Sequence, residues 1–248
     1  MTHLTTEEIT LAFDEVAATV LDKARWFEPP VDALEIARRL GIDVARDDRQ
    51  TGRARYARLA LPGHDRHDDP HAAIFLRSDP RRERVQWAVA HELGEHVSPL
   101  LFARLNLAPH ETSPGMREHL ANQFAGQLLL PTDWFQQAGE ATAWDLLELK
   151  ATFATASHEL IARRMLELGP SAVMTVVDQG AITWRRASDG RGGRTWFPGE
   201  QECWQQTHQQ NQTLARATDV GRVHAWPLHE ADWKREIVRF EPTGWEEA

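Results

Sequence analysis

Apolar residues recur every three or four positions in the first stretch of the chain, at Ile9, Phe13, Val16, Val20 and Leu21. That spacing gives a helix one buried face. Thr5 with Glu8 forms a capping box ahead of it, so a first helix is predicted over roughly residues 6–26. Pro29 and Pro30 stop it; Asp32 then caps ALEIARRL with Glu35 in the third position, and Gly41 supplies a left-handed exit into IDVA. RYARLAL and HAAIFLRS have the composition of two strands. The connecting PGHDRHDDP places His64, His67, Asp68 and Asp69 close to His71, and reads as a solvated turn rather than a ligand cluster, since His and Asp are common in such loops.

Helical spacing then returns. Asp79-Pro80 has the order of a cap followed by proline in the first turn, and Val85, Val89 and Leu93 form one apolar row, with Trp87 near it, in RRERVQWAVAHELGEHVSPLLFARL. Pro99 is expected to kink or end this helix. Ser113-Pro114 opens another, GMREHLANQFAGQLLL, which Pro131 ends; Trp144 to Phe153 has a helical pattern, and Ser157 caps HELIARRMLEL before Gly169-Pro170. Beyond Ala172 the pattern is that of strands: AVMTVV, a turn at DQG, and AITWRR make a hairpin. Gly190, Gly192 and Gly193 mark a loop. Six of the ten tryptophans fall in this last third, where they are expected to fill a small β-rich core, and QECWQQTHQQNQ reads as a solvated helix. The expected organisation is α+β: residues 1–169 form a helical domain with a small N-terminal β-sheet, and residues 170–248 form a small β-rich C-terminal domain.

Composition narrows the chemistry. The 248 residues carry a formal charge of -9, which argues against a general phosphate-binding surface and so against direct nucleic-acid binding. A single cysteine, Cys203, excludes an intrachain disulfide and a multi-cysteine metal cage. Any ion would sit on His, Asp or Glu. Neither a signal peptide nor an apolar run of membrane-spanning length is present, so a cytoplasmic location is expected.

The segment HELGEH, residues 91–96, nearly spells the H-E-x-x-H of gluzincin-like zinc hydrolases. On an α-helix, residues four apart differ by about 40° in azimuth and can share an ion, whereas residues five apart differ by roughly 140°. Three assignments follow. His91 and Glu95 bind with Glu92 as general base; or His91 and His96 bind across a helical bulge near Gly94, an H-E-x-x-x-H spacing that resembles the dipeptidyl peptidase III family; or Glu92 and His96 bind with Glu95 as base. A third ligand is expected from the next helix, where Glu118 is the candidate. Set against these readings is a plainer one, in which His91 is a hydrogen-bonded core histidine. Tyr56, His119 and His158 are candidate oxyanion donors, each with an alternative structural reading.

The wider setting carries a family resemblance. PPVDALEIARRLGIDV, the strand AAIFLRS, RRERVQWAVAHELGE, EHLANQFAGQLLLP and FATASHELIARRMLELG follow one another in register over roughly residues 29–169. In that order they resemble the ImmA/IrrE family of zinc-dependent metallo-endopeptidases. The resemblance implies a zincin-like fold, one zinc ion held by His91 and Glu118, Glu92 as the base, and hydrolysis of a partner protein, often a helix-turn-helix transcriptional repressor cut in a stress response. The chain departs from the family at Glu95, where the family has histidine, and Val97 keeps the register that makes this a substitution. His91, Glu95 and Glu118 are then the implied ligands, with His96 as the alternative to Glu95. The extra carboxylate also sets a second reading beside the first: a catalytically silent zincin-like module that binds a regulator or partner protein. A metal hydrolase acting on a bond other than a peptide is a third.

Overall fold

The computed structural model describes residues 5–59, 71–110, 112–190 and 195–244. The loop residues His64, His67, Asp68 and Asp69 lie outside them, as do Gly192, Gly193 and Trp245. The chain forms two compact units, Met1–Phe135 with Thr152–Ser157, and Gln136–Ala151 with His158–Ala248.

In the first unit, helix α1 (Thr6–Lys23) begins at the expected capping box and buries Phe13, Val16, Val20 and Leu21. Helix α2 (Ala33–Arg39) starts where Asp32 Oδ1 accepts the Leu34 and Glu35 amides, and leaves through Gly41 at φ +75°. Strands β1 (Asp43–Arg46), β2 (Ala54–Leu59) and β3 (His71–Leu76) form a sheet in the order β1-β3-β2. β3 is central, parallel to β1 and antiparallel to β2, so β2 is an edge strand. His71 opens β3 and pairs with Asp43 at 2.7 Å.

Helix α3 (Arg82–Arg104) departs from expectation at both ends. Asp79 does not cap it: the cap residue is Arg81, and Asp79 Oδ1 accepts the Arg81 amide at 2.8 Å in the turn before. Nor does Pro99 end it; the proline sits inside the helix. It deprives the Glu95 carbonyl of its usual donor four residues on. Helix α4 (Pro114–Leu129) starts at the Ser113 cap and packs against α3. Buried Leu93, Phe124 and Leu128 line these helices, each worth about 1.5–3 kcal/mol. Helix α5 (Thr132–Ala141) follows Pro131 at once, in a stretch where no helix was read from the sequence.

The second unit holds helix α7 (His158–Leu168) and a five-stranded antiparallel sheet in the order β5-β4-β8-β7-β6; helix α6 (Leu146–Thr152) belongs to it as far as Ala151. β4 (Val173–Asp178) and β5 (Ala181–Ala187) form the expected hairpin. β6 (Leu214–Thr218), β7 (Gly221–Pro227) and β8 (Arg235–Pro242) complete the sheet. The segment read as a solvated helix is helical, α8 (Glu200–Gln210), but not solvated all round: Glu200, Cys203 and Thr207 are fully buried, with Cys203 among Val173, Val223, Val238 and Phe240. Trp226 is buried, Trp196 and Trp204 stack at 5.6 Å, and Trp233 is exposed.

Candidate functional site

The close approach of α3 and α4 depends on Gly94. A Cβ at Gly94 would lie 3.0 Å from the Ala121 Cα and 3.1 Å from its carbonyl oxygen, tighter than packed atoms tolerate. Glycine therefore lets the two backbones approach. The residue is not the centre of a bulge, because α3 is α-helical throughout.

This contact sets His91 of α3 against Glu118 and Asn122 of α4. His91 Nδ1 is 3.2 Å from Asn122 Oδ1, and Asn122 Nδ2 donates to Glu118 Oε1 at 3.1 Å. A carboxylate only accepts, so the amide N–H of Asn122 must face Glu118 and its carbonyl must face His91. His91 Nδ1 therefore carries the proton. Its Nε2 faces Glu118 Oε2, 3.6 Å away. That separation is too long for a hydrogen bond, and is close to the ~3.3 Å between two ligands of a tetrahedral ion at 2.0–2.1 Å. The pattern in which a ligating imidazole donates its other N–H to a fixed acceptor is the one metal sites use.

Glu92, the neighbour of His91, is buried, and its Oε2 accepts the backbone N–H of Tyr56 on the edge strand β2 at 2.6 Å. Burial raises its pKa above the ordinary carboxylate value; the Tyr56 N–H and His91 oppose that, and the like charges of Glu95 and Glu118 reinforce it.

His96 is placed elsewhere. Its Nδ1 is 2.9 Å from the Tyr56 hydroxyl, which also accepts Arg58 Nε at 3.1 Å, and the rings meet edge to face. Burial, then the charges of Arg58 and Lys23, lower its pKa, so the neutral imidazole accepts the tyrosine proton. Its cleft is lined by Lys23, Leu40, Arg58 and Leu100. Tyr56 thus touches both residues of interest, through its amide and its hydroxyl.

Glu95 lies one helical turn beyond His91 and is half-buried. Among the described residues, only one set of three metal-ligating side chains has its ligand atoms all within 4.8 Å of one another: His208, His229 and Glu236. His91 and Glu118 are therefore brought together, while Glu95 is not drawn into a trio with them. The His91–Glu118 pair is spaced about as two ligands of one ion would be. His119 is exposed on α4, and His158 belongs to the second unit.

The roles of Asn122 and Tyr56 as partners of His91 and Glu92 were not read from the sequence. Asn122 had a local signal, standing four residues after Glu118 on one helix face. The Tyr56 contact spans 36 residues and had none.

Residues 37–166, just over half the chain, match a peptidase-family model described as the IrrE N-terminal-like domain. No curated protein matches. Among solved structures, a Mycobacterium tuberculosis transcriptional regulator is similar in fold at 18% identity and a TM-score of 0.62, over 92% of this chain and 74% of that one. Its likeness extends beyond the span of the family model. The matched span contains the His91, Glu92, Glu118 and Asn122 cluster, and the chain belongs to the IrrE N-terminal-like family.

Proposed function

We propose that this protein is a metal-dependent endopeptidase acting on a partner protein, of which a helix-turn-helix transcriptional repressor is the leading candidate. The observation that carries the reading is the convergence of His91 Nε2 and Glu118 Oε2 to 3.6 Å, with Asn122 fixing the imidazole tautomer. His91 and Glu118 would hold a divalent ion, zinc by family resemblance, with Glu95 as third ligand after side-chain rotation. The bound ion would supply Lewis acidity to the scissile carbonyl and to the attacking water.

The remaining steps belong to the chain. Glu92, with a raised pKa beside that pair, takes the proton of the attacking water and returns it to the leaving amine. Its contact with the Tyr56 amide keeps the carboxylate oriented while leaving its other oxygen for water. The edge strand β2 gives an extended substrate segment a backbone to pair with beside that base.

The test is to incubate the zinc-loaded chain with the helix-turn-helix protein encoded nearest to it and to read cleavage by mass spectrometry. Glu92→Gln should lower the rate by about 10²–10⁴-fold while zinc stays bound. Equal cleavage by wild type and variant would remove the peptidase reading. Zinc binding with no cleavage would leave the silent protein-binding module, which the carboxylate at Glu95 favours.

A further inference from the structure

We propose that His208, His229 and Glu236 form a zinc site in the second unit, separate from the cluster at His91. The three come from different places in the fold: His208 from α8, His229 from the segment after β7, and Glu236 from β8. His208 Nδ1 lies 2.9 Å from Glu236 Oε1, and His229 Nε2 approaches the same oxygen. The other carboxylate oxygen, Oε2, accepts the Trp204 indole N–H at 3.0 Å.

The argument turns on charge. Glu236 is fully buried, as is Glu200 in the same unit. Glu200 has a guanidinium to balance it: Arg185 Nη1 and Nη2 lie 2.6 and 2.8 Å from its two oxygens. Glu236 has none. Among the described residues its partners are two imidazoles and an indole, and Arg235 beside it in sequence turns instead to Asp178 and Glu159. With its imidazole partners neutral, this buried carboxylate has no counter-charge, which is costly. A divalent cation on Oε1 with the two facing ring nitrogens would supply it.

The donor set suits zinc. Two imidazoles and one carboxylate leave a fourth position, and the His208 side chain is 30% exposed, giving the ion and a water a way in. Trp204 holds the carboxylate through the oxygen that does not ligate, the outer-shell role that orients a ligand. The ion would tie α8 to the strand β8, where Cys203 already packs.

The test uses the full chain carrying His91→Ala and Glu118→Ala, which removes the other proposed ligands. After zinc loading and dialysis, elemental analysis should find close to one zinc per chain, and zinc should raise the melting temperature by several degrees. Adding His208→Gln should abolish both effects without changing the near-ultraviolet circular dichroism; if that variant does not fold, the parent's zinc-dependent melting shift and anomalous scattering at the zinc edge decide. A folded parent that keeps no zinc and shows no shift overturns the proposal, as does zinc retained after both His208→Gln and His229→Gln. The carboxylate would then be balanced by protonated imidazole alone. Because the parent lacks His91 and Glu118, these outcomes are independent of the peptidase reading.

Discussion

Asn122 is the residue on which the ligand geometry turns, although it touches no reacting atom. Its amide points one way because Glu118 can only accept, and that choice determines which nitrogen of His91 is free. Asn122→Ala should weaken zinc binding at His91 by about 10–100-fold, measured by chelator competition in a chain whose His208 is replaced. Glu92 gives the site its pH response. Burial and the neighbouring carboxylates raise its pKa, so the acid limb of the rate profile should lie above the ordinary carboxylate range, and Glu95→Gln should move it down by removing one like charge. The sign for stability is opposite. A carboxyl with a raised folded-state pKa stabilises the fold at low pH and loses that contribution as pH rises through the raised value, whereas Asp178, lowered by its hydrogen bond to Arg235, stabilises at neutral pH and loses its contribution as pH falls. Urea titrations of Glu92→Gln and Asp178→Asn across the acid range should therefore diverge from wild type in opposite directions.

At the level of elements, two contacts hold α3 in place. Gly94 admits the α4 backbone, and Gly94→Val should cost about 1–3 kcal/mol or more by overpacking against Ala121 and Phe124, read from urea midpoints, with zinc affinity falling as the helices part. Gln86, fully buried on α3, accepts the Ala33 amide at 2.7 Å and donates to the α2 cap Asp32 at 3.0 Å. Gln86→Ala would leave that amide unsatisfied and should cost about 1–3 kcal/mol. The ends of α3 show why element boundaries were harder to read than elements. Asp79 makes the same kind of side-chain-to-backbone hydrogen bond as a cap, but spends it on the turn one step earlier. Pro99 is accommodated because α3 is held from outside: Val97, Leu101 and Phe102 are buried around it, and packing outweighs a lost backbone hydrogen bond.

Across the whole molecule, each compact unit is assembled from two separate stretches of chain. Gln136–Ala151 and α7 cluster with the five-stranded sheet, where Trp226 Nε1 donates to Asp145 at 3.1 Å, Arg239 to the Trp144 carbonyl at 3.3 Å, and Arg235 to Glu159 at 3.1 Å. A fragment ending at residue 169 would lose all three partners. It should melt earlier than the full chain and expose Trp144, seen as a red shift in tryptophan emission; an unchanged melting temperature would show that these contacts contribute nothing to the N-terminal fragment. The same unit contains the buried Arg185–Glu200 pair, and Arg185→Met should cost about 3–5 kcal/mol by leaving a buried carboxylate unpaired.

What the sequence determined by itself is local or periodic: the Thr5, Asp32 and Ser113 caps, the Gly41 exit, the β4–β5 hairpin, and the placing of His91, Glu92 and Glu95 on one helix with Glu118 on the next. Each depends on residues a few positions apart, whose geometry a single element imposes. Tertiary structure decided what lies across elements. It turned His96 toward Tyr56, set the Tyr56 amide on Glu92, gave α8 its buried face, and brought His208, His229 and Glu236 together from three segments. Such contacts follow from how helices and strands pack, and no spacing along the chain encodes them.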